Sequence, residues 1–195
     1  MDLNHQLIEK FVQDKLENKN EGAHTFDHIK RVYGLCMRIG DEMGADLKVL
    51  GAAALLHDIG RPKENDTGVS HSIISGEMSQ EILTELEYDE EEIKKVVEAI
   101  RTHRFSEGLE PSTLEGKILS DVDKLDAIGA IGVFRAVSQA ETKGVGIKGF
   151  LDHVEEKLLW LKDLMYTDRA RIVAEKRHRT LESFVIQLRE EIELE

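Results

Sequence analysis

The sequence predicts an all-α protein, and three observations support that class. Apolar residues recur at helical spacing along most of the chain. Only two prolines, Pro62 and Pro111, interrupt it, and both fall in polar stretches expected to be loops. The 195 residues, 41% of them hydrophobic, favour one domain that buries a sizeable core. We therefore expect a single helical domain over residues 1–195, with about seven or eight helices.

The first helix is expected over residues 2–18, where apolar side chains follow a helical repeat. After a polar break over residues 18–22, Thr25 or Asp27 caps a second helix that runs to about Gly44. Side-chain oxygens of these types accept hydrogen bonds from the N–H groups that a helix start leaves without partners.

The third helix begins after Asp46 and is nearly all apolar in its run VLGAAALLH. A helix that is apolar on every side is buried, so we expect it to be central. It ends on the doublet His57–Asp58. Burying a carboxylate beside an imidazole is costly unless a cation compensates, and a divalent metal binds both groups. The alternative is an ordinary helix end, marked by Gly60 and Pro62.

Residues 61–70 are expected to form a polar loop. Its charged and polar side chains either overhang a site or are solvated, and solvation is favoured for most of them. These side chains are Arg61, Lys63, Glu64, Asn65 and Asp66.

Three more helices are expected before residue 130. One begins at His71, the next spans residues 88–103, and a sixth begins at Thr113 and carries Asp123 near its middle. An aspartate inside a helix, beside the apolar stripe, is a poor choice for stability alone, which favours a functional role.

The C-terminal part is expected to contain a loop and two helices. Gly144, Gly146 and Gly149 predict a flexible loop, and the amphipathic segments 151–165 and 168–194 predict the last two helices.

Four side chains of types that bind metals lie on three predicted helices, in the sequence contexts HxxRV, LLHDIG and DxDKLD. They are His28, His57, Asp58 and Asp123. This order resembles the HD-domain superfamily of metal-dependent phosphohydrolases, over about residues 23–130. The resemblance implies an orthogonal helical bundle, with the helices of residues 148–195 packed on the motif region. It also implies that these four side chains hold a metal, with Asp58 and Lys124 as catalytic residues.

The donor set of two imidazoles and two carboxylates suits Mn, Fe, Co, Ni, Zn or Mg rather than a metal that prefers thiolates. Four protein ligands leave two octahedral positions for water and a phosphate oxygen. One divalent metal is expected, and two are possible.

The second metal depends on His71 and His103, which lie at helix edges between the doublet and Asp123. They are candidates for binding a second metal or substrate, and a histidine at each place also resembles the di-iron oxygenase branch. The alternative makes them ordinary residues of a helix start and a helix end. Arg104 follows His103 and no Gly-Tyr-Pro signature is present, which sets the cyclic-dinucleotide phosphodiesterase branch aside.

Further charged residues are candidates for substrate contacts. Arg31 and Arg104 have guanidinium groups suited to phosphate. Asp126 is predicted to orient a ligand or contact a substrate, or else to form a salt bridge. Glu64 and Glu77 are weaker candidates for a general acid or base.

The predicted function is hydrolysis of a nucleotide or related phosphate ester by metal-activated water. Two alternatives remain: a di-iron oxygenase, and a non-catalytic domain that binds a nucleotide or holds a structural metal. A net charge of −13 disfavours extended nucleic acid as a partner but allows a small phosphorylated substrate. With a single cysteine, Cys36, and no long apolar run, a cytoplasmic protein without membrane contact is expected. The resemblance adds a possible homodimer.

Overall fold

The computed structural model describes residues 2–16 and 26–193, and all regular structure within them is helical. The all-α prediction is confirmed. The ten α-helices of these residues are α1 (Leu3–Leu16), α2 (Phe26–Met43), α3 (Leu47–Leu56), α4 (Arg61–Thr67), α5 (His71–Glu85), α6 (Glu90–Thr102), α7 (Leu114–Asp126), α8 (Gly129–Thr142), α9 (Gly146–Glu156) and α10 (Asp168–Glu193). Two 3₁₀ segments span Phe105–Glu107 and Leu158–Leu164.

The helix count exceeds the predicted seven or eight because two segments that were not predicted as helices are helical. The segment expected as a polar loop over 61–70 contains α4, which has Pro62 in its first turn, where a missing N–H costs nothing. Helix α8 was not expected at all.

The C-terminal helices also differ from their expected bounds. The expected glycine loop is largely helical, since α9 begins at Gly146. The helix expected over 151–165 is divided between α9 and the second 3₁₀ segment.

The chain divides into two compact units, residues 1–122 and 123–195. In the first unit α3 packs against α1, α2, α5 and α6, as its apolar sequence predicts. Asp46 caps α3 by accepting hydrogen bonds from the N–H groups of Lys48 and Val49. Leu50, Leu55 and Leu56 are fully buried, and burial of such a side chain contributes about 1.5–3 kcal/mol. The central helix that ends on the His-Asp doublet is therefore firmly held.

In the second unit α8 packs against α9 and α10, and the second 3₁₀ segment packs against the same two helices. The C-terminal end of α7 is held by two arginines. Arg177 donates a hydrogen bond to the carbonyl of Leu125, and Arg135 donates to both the carbonyl and the carboxylate of Asp126.

The polar break over residues 18–22 and the cap at Thr25 lie outside the described residues. The single domain over 1–195, with residues 148–195 packed on the motif region, stays a prediction. Among residues 2–16 and 26–193, no helix combines the length and apolarity that crossing a membrane requires.

Candidate metal centre

The buried carboxylate of Asp58 lies among the Nε2 atoms of four buried histidines. The two oxygens of this carboxylate face different pairs: Oδ2 lies 3.7 Å from His28 and 3.7 Å from His57. Oδ1 lies 3.2 Å from His71 and 3.8 Å from His103. We call His28, His57 and Asp58 the first triad, and Asp58, His71 and His103 the second triad. Within each triad, one ligand atom per residue lies within 4.8 Å of the others.

Four helices of the first unit bring these side chains together. His28 lies in the first turn of α2, and His57 is the C-cap residue of α3. His71 is the first residue of α5, and His103 is the C-cap residue of α6. Both triads therefore draw on helix ends, where side chains can converge without interrupting a helix.

The hydrogen bonds of the rings fix which nitrogen faces Asp58. Nδ1 of His57 lies 2.8 Å from the carbonyl oxygen of Ala54, and Nδ1 of His103 lies 2.6 Å from that of Ile100. A carbonyl oxygen only accepts hydrogen bonds, so each Nδ1 must donate. In the neutral imidazole, Nε2 then carries the lone pair that binds a metal.

These residues fit a divalent cation. Within the described part of the chain, Nε2 of His71 is buried and has no hydrogen-bond partner, although it lies 3.2 Å from Asp58 Oδ1. A buried polar atom of this kind is costly unless it binds something. The donor set, imidazole nitrogen with carboxylate oxygen, is one that first-row divalent metals accept.

Two side chains of α4 lie at this centre, so the alternative that side chains of residues 61–70 overhang a site holds for these two. Arg61 donates a hydrogen bond from Nε to Asp58 Oδ2 at 2.5 Å, and only 23% of its side chain is exposed. The Oε2 atom of Glu64 lies 3.0 Å from Nδ1 of His71. Partial burial raises the pKa of Glu64, but the charge of His71 and hydrogen bonds from His71 and Arg104 outweigh it and leave that pKa below its ordinary value.

Arg104 was predicted to contact substrate phosphate, and the structure gives it carboxylate partners. Its Nη1 lies 2.5 Å from Glu64 Oε1 and 3.4 Å from Glu107 Oε1. Glu107 also accepts hydrogen bonds from the hydroxyl groups of Ser70 and Ser72. Burial raises the pKa of Glu107, but these hydrogen bonds and the charge of Arg104 hold it below its ordinary value.

The remaining predicted residues lie on α2 and α7. Arg31 is half-buried one turn after His28. In the second unit, Asp123 is half-buried, and the ammonium of buried Lys124 lies 4.7 Å from the centre of the Tyr166 ring. Asp126 is buried and accepts a hydrogen bond from Arg135 at 2.7 Å, as its salt-bridge alternative anticipated. The metal and catalytic roles of Asp123 and Lys124 stay predictions.

Comparison with known proteins places this centre in a family. The HD domain family model matches residues 25–128, more than half of the chain. The protein YpgQ of Bacillus subtilis is 37% identical in sequence, over 96% of this chain and 93% of its own.

Solved structures agree over nearly the whole chain. The crystal structure of YpgQ in complex with ADP has a TM-score of 0.79 at 32% identity, covering 96% of this chain and 97% of that one. An HD-superfamily hydrolase from Bacillus thuringiensis has a TM-score of 0.78 at 32% identity, covering 98% and 97%. A predicted HD superfamily hydrolase from an uncultured Thermotogales bacterium has a TM-score of 0.74 at 32% identity, covering 95% and 91%. With its histidines and aspartate gathered as described, this chain belongs to the HD-domain family.

Proposed function

We propose that this protein is a metal-dependent phosphohydrolase that acts on a nucleotide or a related phosphate ester. The observation that carries the proposal is the Asp58 carboxylate, each of whose oxygens faces a different pair of buried imidazoles. Asp58 would therefore serve as a ligand in both triads, and paired divalent metals, when bound, would favour displacement at phosphorus. The nucleotide is supported by the similarity to YpgQ, whose crystal structure contains ADP.

The first triad, with Asp123 as a fourth ligand, would hold one divalent metal, and the second triad would hold another. When bound, a divalent metal lowers the pKa of a coordinated water and polarises a phosphoryl oxygen. The imidazole nitrogens and the Asp58 carboxylate would hold such ions, and burial of all four histidines would limit the water that reaches them.

Arg61 supplies a cation beside this centre, and we assign it to the substrate phosphate. Its guanidinium lies against Asp58 and retains 23% exposure, so it reaches both the buried carboxylate and the solvent side. Guanidinium groups bind phosphate oxygens in a planar, two-point manner. Arg31 stays in the proposal as a further phosphate contact, Lys124 as a catalytic residue, and Asp126 as a group that orients the substrate.

A di-iron oxygenase is the second candidate, because the second triad supplies the additional histidines that this chemistry requires. The two candidates differ in what they consume. The hydrolase consumes water and releases phosphate or pyrophosphate without oxygen. The oxygenase consumes oxygen and needs iron.

The test uses the purified protein, stripped of metal and reconstituted with Mn²⁺ or Fe²⁺ with and without oxygen. Nucleoside mono-, di- and triphosphates are offered, and phosphate, pyrophosphate and oxygen uptake are measured. We expect phosphate or pyrophosphate release without oxygen, and its loss in His57→Ala with an unchanged circular dichroism spectrum. Oxygen uptake that depends on iron, without hydrolysis, would favour the oxygenase. Nucleotide binding without turnover would leave only the non-catalytic alternative.

A further inference from the structure

The imidazoles of His57 and His103 are held by the backbone of their own helices. Each stands at a helix C-terminus, where carbonyl oxygens lack helical N–H partners. In each ring, Nδ1 donates a hydrogen bond to the carbonyl oxygen of the residue three positions earlier in the same helix. The orientation of both rings is therefore built into the ends of α3 and α6.

Among the residues that the structure describes, none offers the ring of His71 such a backbone acceptor, because His71 begins a helix instead of ending one. The start of α5 presents N–H groups, and the cap residue Ser70 accepts from one of them. The ring Nδ1 lies instead beside the carboxylate of Glu64, at 3.0 Å. The other oxygen of Glu64 accepts a hydrogen bond from the backbone N–H of His71, at 3.3 Å. One side chain thus holds both the ring and the backbone of His71.

Glu64 is itself held by Arg104. Arg104, one residue after His103, places Nη1 2.5 Å from Glu64 Oε1. The same nitrogen lies 3.3 Å from the hydroxyl of Ser70 and 3.4 Å from Glu107. A chain of contacts therefore runs from Arg104 through Glu64 to His71, and all of it is half-buried or buried.

We infer that Glu64 is the positioning residue that makes His71 a metal ligand, and that Arg104 fixes Glu64 in that role. A carboxylate can only accept the hydrogen on Nδ1, so in the metal-binding, neutral form of the ring the lone pair is on Nε2, toward Asp58. Carboxylates behind metal-binding histidines set the ring orientation in this way and raise its basicity. The inference rests on the two-metal form of the proposed function. It assigns Arg104 to the carboxylate rather than to the substrate phosphate.

The test measures Mn²⁺ binding by the full chain, using the loss of the free Mn²⁺ signal in electron paramagnetic resonance. Wild type, Glu64→Ala, Glu64→Gln and Glu107→Gln are compared. Glu107→Gln is the matched control, because it alters a carboxylate that also contacts Arg104 but does not touch His71. Circular dichroism establishes that each variant is folded, and Glu64→Gln serves if Glu64→Ala does not fold.

We expect two Mn²⁺ per chain in the wild type and in Glu107→Gln. In Glu64→Ala the affinity of one of the two sites falls by about 10- to 100-fold, and the other is unchanged. Glu64→Gln lies between, because its amide oxygen still accepts from Nδ1 but carries no charge. The spectrum of a coupled Mn²⁺ pair, present in the wild type, weakens in the same order.

Three results would overturn the inference. They are equal affinities in Glu64→Ala and wild type, an equal loss in Glu107→Gln, and one Mn²⁺ per chain in the wild type. None of these results by itself contradicts the proposed hydrolase function, which would be contradicted by the absence of phosphate or pyrophosphate release. A single Mn²⁺ together with nucleotide hydrolysis would reject Glu64 as a positioning residue and keep the hydrolase.

Discussion

The two triads share Asp58 but are built in different ways. In the first triad, His57 is oriented by the carbonyl of Ala54, part of the central and fully buried helix α3. In the second, His71 depends on Glu64, a half-buried side chain of the short helix α4. Backbone support comes with the fold, whereas side-chain support can be removed by one substitution. The first triad should therefore be the more robust metal position, and the second the more adjustable one.

The largest expected effect comes from Asp58→Ala, because this substitution removes the ligand that both triads share. We expect metal content to fall from two ions to fewer than one per chain. Nucleotide hydrolysis should fall by at least about 10³-fold, since metal ions contribute several kcal/mol to such reactions. Elemental analysis and phosphate release measure the two effects. Asp66→Ala, which removes an exposed carboxylate from α4, is the control and should change neither. A variant at position 58 that keeps both metals would contradict the shared role.

The next comparison separates the triads with His57→Ala and His71→Ala. The first triad should bind metal more tightly than the second, because the ring of His57 is held by the backbone of α3 whereas that of His71 depends on the Glu64 side chain. We expect wild-type Mn²⁺ titrations to show a tight and a weaker phase. His57→Ala should remove the tight phase, and His71→Ala only the weaker one. Loss of both phases in His71→Ala would show that the two positions are not separable.

The sequence predicted the first triad well because its signal is local. An apolar run that ends on His57–Asp58, with His28 upstream, places ligands on the most buried helix. His71 and His103 were recognised as candidates, and their metal or substrate roles stay predictions. Each does begin or end a helix, and each also faces Asp58.

Arg61 and Glu64 were among the candidates to overhang a site, but their contacts there could not be predicted, because α4 is seven residues long and almost entirely polar. Two turns without apolar residues give no helical repeat, so the segment resembles a solvated loop. The available signal was spacing: Arg61 follows Asp58 by three residues, which is one helical turn. The contact between Glu64 and His71 depends on how α4 packs against α5, which the sequence pattern does not give.

Helix α8 was missed for a different physical reason. Its buried positions are small residues, including Gly132, Ala136 and Ala140, whereas Phe134 is 76% exposed. Small residues allow helices to pack closely, but they contribute little to the apolar periodicity from which a helix is predicted. The pattern that reveals an amphipathic helix is therefore weak here, even though α8 packs against both α9 and α10.

A moderate effect is expected from Gly60→Ala. Gly60 lies between α3 and α4, and its backbone closely approaches the first turns of α5. A Cβ at residue 60 would lie 2.7 Å from the backbone nitrogen of Ser75 and 2.8 Å from the carbonyl oxygen of His71. Backbone atoms cannot move aside cheaply, so we expect a loss of about 1–3 kcal/mol in the free energy of unfolding. The weaker Mn²⁺ phase should also decrease, because His71 shifts relative to Asp58.

Gly34→Ala is the control for this substitution. Gly34 is exposed on α2, and a Cβ there would have no neighbour within 4 Å. Alanine should stabilise that helix by about 0.5–1 kcal/mol and leave metal binding unchanged. Thermal unfolding and Mn²⁺ titration measure both variants. If Gly60→Ala were as stable as Gly34→Ala, the contact between Gly60 and α5 would not be as tight as described.

The smallest effect is expected from Glu107→Gln, which tests the outer part of the contacts around Arg104. Burial raises the pKa of Glu107, but hydrogen bonds from Ser70 and Ser72 and the charge of Arg104 outweigh burial and lower that pKa below its ordinary value. The Glu107 carboxylate therefore binds a proton more weakly in the folded protein than in the unfolded chain. The ionised carboxylate therefore stabilises the fold above the unfolded pKa of about 4.3, and this stabilisation is lost as the pH falls through the folded value. At pH 7 we expect Glu107→Gln to cost about 1 kcal/mol, or a melting temperature lower by about 2–4 °C. At pH 3 the difference in stability between Glu107→Gln and wild type should shrink.

Both proteins are measured with chelator present, so that metal binding does not contribute. A deficit that stays constant between pH 7 and pH 3 would mean that hydrogen-bond geometry, rather than the charge of Glu107, accounts for its contribution to stability.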